Sequence, residues 1–199
     1  VSITLAKFTY ASIFANIICF GFDFSILQQK NLTIEKKSFL GRIIFGTLLT
    51  LSLIYIQKLS IDVLFVSVSL TTALILKGFV RASKKHKLDF IINLLSFLIF
   101  ILIVIGGSGK NSLMTALGFS LIIPNLGALF VFLKFENNDT YKAVFVSILK
   151  NFPLMAYSLV AYLLLNVDVY VFEYLGKIES YNNFVIPNKF FLNLTMIPV

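Results

Sequence analysis

Long apolar runs broken by short polar stretches set the pattern of this chain. The run Phe97-Leu98-Ile99-Phe100-Ile101-Leu102-Ile103-Val104-Ile105 has no polar position. Strands of a membrane barrel alternate apolar and polar residues over about ten positions, so such a run argues for a helix. About 20 apolar residues carry a helix across the hydrocarbon core. Six stretches qualify, at 3–27, 38–57, 61–83, 88–106, 112–133 and 143–175, and a seventh starts near 183. The sixth is long. It is expected to include an interfacial turn and to tilt or kink at Pro153. The fold class that follows is all-α, a polytopic transmembrane helix bundle.

Composition strengthens this reading. Charged residues make up 13% of the chain and hydrophobic residues 58%, whereas a soluble domain is about a quarter charged. Such a chain must show apolar side chains to lipid. A single cysteine, Cys19, excludes an internal disulfide and a cysteine-based metal cluster. The one histidine, His86, stands in a Lys/Arg cluster and reads as a solvated loop residue. No metal and no cofactor are expected. The stretch Gly106-Gly107-Ser108-Gly109-Lys110-Asn111-Ser112 fails as a phosphate loop, because Val104 replaces its first glycine and Asn111 follows the lysine. Three glycosylation-like triplets, at Asn31, Asn138 and Asn193, read as chance. No nucleophile–base–orienter set is present, so the chain is not expected to be an enzyme. It starts at Val1 with no signal-peptide pattern, and it opens and stops within apolar segments. It reads as a fragment of a longer protein.

Lysine and arginine orient the helices, since cytoplasmic loops carry the excess. Lys30, Lys36, Lys37 and Arg42 follow the first helix, and only Lys58 follows the second. Arg81, Lys84, Lys85 and Lys87 follow the third, and only Lys110 the fourth. Lys134 and Lys142 follow the fifth, and only Lys177 the sixth. Every second loop is basic and therefore cytoplasmic, which places residue 1 on the outer side and suggests a helix upstream. The net charge of +8 is then a matter of topology, and no nucleic-acid partner is required.

Polar residues within the spans recur on single helix faces. Thr9, Ser12, Asn16, Cys19 and Asp23 step by three and four along about 21 Å of the first helix. Ser67, Thr71 and Gly78 do so in the third, Asp89, Asn93 and Ser96 in the fourth, and Ser158, Tyr162, Asn166 and Tyr170 in the sixth, with Asn151 seven before Ser158. Two readings stay open: a hydrated cavity lined by polar faces, or hydrogen bonding between packed helices. Lys77, near the cytoplasmic end of the third helix, either snorkels to the headgroups or draws an anionic substrate group inward. Pro124 and Pro153 interrupt the fifth and sixth helices, as in transporters built from broken helices.

Four stretches carry a family resemblance. Phe20-Gly21-Phe22-Asp23-Phe24-Ser25-Ile26-Leu27-Gln28 looks like the end of the second helix of Wzx-type polysaccharide flippases. Lys77-Gly78-Phe79-Val80-Arg81-Ala82 resembles the end of their fourth helix. Asn166-Val167-Asp168-Val169-Tyr170-Val171-Phe172-Glu173-Tyr174-Leu175-Gly176 resembles their seventh, with Val169 where the family has a basic residue. Phe184-Val185-Ile186-Pro187-Asn188-Lys189-Phe190 resembles the start of their eighth.

The resemblance implies helices two to eight of an incomplete two-lobe transporter of the MOP superfamily, the superfamily that includes the MATE exporters. Residues 1–134 would belong to the N-terminal lobe, 135–142 would link the lobes, and 143–199 would begin the C-terminal lobe. The implied function is translocation of undecaprenyl-pyrophosphate-linked oligosaccharide across the bacterial cytoplasmic membrane by alternating access, for O-antigen or capsule synthesis. Its partners would be that lipid-linked oligosaccharide, membrane lipids, and H+ or Na+ as coupling ion. Candidate cavity and substrate residues are Asn16, Asp23, Lys77, Arg81, Asn93, Lys150, Asn166 and Asp168. Lys77, Arg81 and Lys150 are candidates for attracting the pyrophosphate, and Asp23 and Asp168 for carrying the proton or cation. Alternative readings are a membrane polysaccharide polymerase or ligase, another exporter of the superfamily, and a helical scaffold.

Overall fold

A computed structural model describes residues 2–22, 26, 33–106, 113–132, 134–136 and 141–165, with 167, 171, 174 and 175. The described chain is an all-α bundle. Its helices are α1 (Ser2–Cys19), α2 (Lys36–Ile56), α3 (Ile61–Ser83), α4 (His86–Gly106), α5 (Leu113–Phe132) and α6 (Tyr141–Leu165). Two three-residue strands, β1 (Thr33–Glu35) and β2 (Lys134–Glu136), pair in parallel, Ile34 opposite Phe135. Four described stretches are long and apolar enough to cross a membrane: Phe39–Ile56, Ile61–Ser83, His86–Gly106 and Leu113–Val131. The protein is a membrane protein.

Packing follows from which faces are apolar. α3 packs chiefly on α1 and α5, α5 carries α4, and α2 packs on α1 and α6. α1 and α3 therefore form the centre. Of the α3 span 61% is buried, against 11% of the α4 span. The outward face of α4 shows Phe90, Leu94, Phe97, Leu98 and Leu102, an apolar surface suited to hydrocarbon rather than water. Two apolar clusters stack along the bundle. One joins Ile17 and Phe14 of α1 to Ile54, Val63, Val66 and Met114. The other joins Phe22 and Ile26 to Ile75, Phe79, Ile92 and Leu129.

The β1–β2 ladder lies at the second cluster's end, because β1 leads into α2 and β2 follows α5. It brings together two loops that both read as cytoplasmic from their charges. Phe135 and Glu136, which open the stretch read as an inter-lobe linker, are held in this ladder opposite Ile34 and Glu35. α6, read as the start of a second lobe, packs on α2 and α1.

The first helix departs from expectation. It does not run unbroken through 3–27. α1 ends at Cys19, and Phe20 and Gly21 both take left-handed backbone, with φ of 50° and 67°. Glycine adopts this freely, but for a phenylalanine it costs about 1–2 kcal/mol. Full burial of the Phe20 ring offsets that cost. The ring packs edge-on to Phe45 at 5.7 Å and tilted against Phe152 at 6.4 Å. The end of α3 is also left-handed: Lys84 has φ 56° and ψ 28°, and its N–H donates to Arg81 O. That turn lets α4 start at His86.

Candidate functional site

The polar face of α1 points into the centre of the bundle. Thr9, Ser12 and Cys19 are buried, and Asn16 is half-buried. The hydroxyl of Ser12 donates to Phe8 O at 2.9 Å, and the Asn16 amide donates to Ser12 O at 2.8 Å. Both bonds run four residues back along the same helix. On α3, Ser67 bonds Val63 O and Ser69 bonds Phe65 O in the same way. Thr71 differs. Its hydroxyl lies 2.8 Å from Ser67 O on its own helix and 3.2 Å from Ala15 O of α1, so one proton is shared between two helices. Ser67, Thr71 and Gly78 are all buried.

Thr71→Val keeps the shape and removes the shared proton. We expect a loss below about 1 kcal/mol, the usual size of such bonds within membranes. Unfolding of reconstituted protein with and without the substitution measures it. A loss several times larger would mean that the α1–α3 contact depends on this hydroxyl rather than on packing.

The described candidates do not converge on one cavity. Asn16 is central. Lys77 and Arg81 are exposed and lie four apart on α3, hence on one face. Arg81 begins a basic patch continued by exposed Lys84, Lys85, His86 and Lys87, with half-buried Asp89 in the first turn of α4. A shallow recess runs from Lys84 to Leu88 and Ile91. Asn93 is exposed on α4, and Lys150 is exposed on α6 beside buried Asn151. Asp23, Asn166 and Asp168 lie outside the described residues. Among the described residues, no three His, Cys, Asp or Glu side chains group as metal ligands.

Several polar residues take positions that sequence reasoning did not foresee. Arg42, grouped above with the loop charges, sits in the second turn of α2, 5% exposed, with its guanidinium 5.1 Å from the centre of the Phe22 ring. The one available signal was its place inside the expected span 38–57. Asn125 follows Pro124 in α5 and is buried, its amide donating to Leu121 O. Thr50 is fully buried, and its hydroxyl has no hydrogen-bond partner.

The broken end of α1 meets α6. A side chain on Gly21 would lie 3.0 Å from Leu154 Cβ and 3.1 Å from Met155 N, next to Pro153 of α6. Proline has no N–H to give the carbonyl four residues back, yet α6 runs as one helix through Pro153 from Tyr141 to Leu165, without the expected interfacial turn, so the irregular backbone at this contact is that of Phe20 and Gly21. Comparison with protein-family models, curated proteins and solved structures finds no match to this chain.

Proposed function

We propose that this chain is part of a multi-pass flippase of the bacterial cytoplasmic membrane, one that moves undecaprenyl-pyrophosphate-linked oligosaccharide outward by alternating access. The order of the four family-like stretches, ending in Asn166–Gly176 and Phe184–Phe190, carries this reading. Two structural features support it. Lys77, Arg81 and the Lys84–Lys87 patch put cations at the end of the bundle read as cytoplasmic, where a pyrophosphate would arrive. The irregular backbone at Phe20–Gly21 lies against the Pro153 region, and interrupted helices are a feature of transporters that alternate access. H+ or Na+ would be the coupling ion, with Asp23 and Asp168 as its carriers. No covalent step is assigned to any residue.

The test is complementation with the whole natural gene in a strain lacking its polysaccharide flippase, scoring lipid-linked oligosaccharide on each leaflet. We expect outward transfer to return and to be lost on Asp168→Ala in protein that still inserts. A basic residue near an anionic membrane surface contributes about 1 kcal/mol. The double reversal Lys77→Glu/Arg81→Glu should therefore slow transfer by at least about tenfold. Inserted protein that restores chain growth or ligation, and no transfer, would replace this reading with a polymerase or ligase.

A further inference from the structure

The turn between α3 and α4 is short and tied down. Lys84 N–H donates to Arg81 O, Lys85 N–H to Val80 O, and Leu88 N–H to Lys85 O. The chain therefore passes from one helix to the next through Lys84 and Lys85 alone. This holds four cations, Arg81, Lys84, Lys85 and Lys87, close together at the end of the bundle read as cytoplasmic. Asp89 is the one acid between residues 77 and 91. It stands roughly 160° around α4 from Ile91 and does not line the recess at this turn.

The recess has two chemistries. Lys84, Lys85, His86 and Lys87 line its polar side, and Leu88 and Ile91 its apolar side. The apolar side does not stop there. Leu88, Ile91, Leu95 and Leu98 recur at steps of three and four, so they share one face of α4, and the last three are exposed. From Leu88 to Leu98 is about 15 Å of helix, half of a hydrocarbon core about 30 Å thick. The stripe thus begins among the cations and runs to the middle of the bilayer.

We propose that the α3–α4 turn binds the phosphate headgroup of an anionic phospholipid, whose acyl chain lies along the stripe from Leu88 to Leu98. The cations alone would hold any anion, and the stripe alone is met by any lipid. Placed end to end, they fit an occupant with an anionic head and an apolar tail. Headgroup charge is what selects it, since basic residues at a membrane surface attract anionic lipid. The recess lies on the least enclosed of the four spans, 11% buried, where bulk lipid arrives, and not at the α1–α3 centre. This inference requires only that the protein lie in a membrane, and it is independent of the proposed transport.

Photo-crosslinking of the whole natural protein in phosphatidylcholine vesicles tests it. The probe is a trace of phosphatidylglycerol in one arm and of phosphatidylcholine in the other, each with a diazirine in the same acyl chain. Labelling of residues 88–98 by the phosphatidylglycerol probe should exceed that by the phosphatidylcholine probe at least about tenfold. Residues 99–106, in the other half of α4, should show no such preference. The excess should shrink as salt rises from about 0.1 M to about 1 M, because the screening length falls from about 10 Å to about 3 Å. The triple substitution Lys84→Gln/Lys85→Gln/Lys87→Gln should abolish the excess, and Lys58→Gln, on the loop between α2 and α3, should leave it unchanged. Equal labelling by the two probes in the unsubstituted protein would overturn the proposal, whether or not the triple variant inserts. So would an excess that persists in the inserted triple variant. Displacement of the probe by an equimolar polyprenyl pyrophosphate would replace the phospholipid with a carrier lipid, and polypeptide crosslinks from a probe placed at Ile91 would replace it with a protein partner.

Discussion

Gly46→Ala is expected to destabilise the bundle by about 3 kcal/mol, the upper end of the range for overpacking. A Cβ on Gly46 would lie 2.6 Å from Ile17 O and 2.7 Å from Ile18 Cα. Both atoms are backbone, and they belong to the helix enclosed at the centre. α2 must therefore move away from α1, and the packing of Phe45 on Phe20 moves with it. Small residues allow this kind of close approach where helices meet in lipid. Gly127→Ala and Gly106→Ala make the same chemical change with nothing within 4 Å of the new atom. They should be neutral or slightly stabilising, since alanine favours a helix by up to about 1 kcal/mol over glycine. Gly118→Ala should fall between, because its obstacle is the Phe65 ring, and a ring can turn. Detergent-titrated unfolding in bicelles ranks all four. Equal stabilities for Gly46→Ala and Gly127→Ala would remove the α1–α2 crossing from this fold.

Gly21→Val should be at least as damaging, for a different reason. The residue has φ +67°, where an L-residue is penalised by about 1–2 kcal/mol and a β-branched one is a clear outlier. Its side chain would also press on Leu154 Cβ and Met155 N at 3.0 and 3.1 Å. We expect a loss of about 3 kcal/mol or more from strain and overpacking together. Cys19 makes this measurable. It is the one cysteine in the chain, stands two residues before Gly21, and is 1% exposed. Maleimide should label it slowly in the unsubstituted protein and much faster in Gly21→Val. Unchanged labelling and stability would mean that a helix can run straight through Phe20–Gly21, and the contact with the Pro153 region would lose its basis.

The sites are less legible than the helices. A three- and four-residue spacing identifies which polar residues share a face, but not what that face meets. On α1 and α3 the faces meet other helices, and Ser12, Asn16 and Ser67 bond carbonyls of their own helix. These bonds are local, so the same sequence would form them beside a water-filled path or a packed neighbour. Lys77 and Arg81 share an exposed face, as their spacing requires. Asp23, Asn166 and Asp168, which bear most on the flippase reading, fall outside the described residues, and their roles rest on the resemblance.

The sequence by itself determined the solvent and the elements. Its apolar runs are as long as a bilayer is thick, and this sets helix length directly. The expected spans 38–57, 61–83, 88–106 and 112–133 match Lys36–Ile56, Ile61–Ser83, His86–Gly106 and Leu113–Phe132 to within two residues at each end. The alternation of basic loops is likewise readable in one dimension. Tertiary structure alone decided the rest. In hydrocarbon an apolar side chain is satisfied by lipid and protein alike, so hydropathy does not say which helix lies at the centre. Close backbone approach at Gly46, the Phe65 ring seated against Gly118, and the Phe20 ring packed between Phe45 and Phe152 make that choice. The β1–β2 ladder joins three-residue segments about a hundred positions apart, too short to leave a pattern. It holds α2 and α5 together at one end, although the two helices scarcely touch above it.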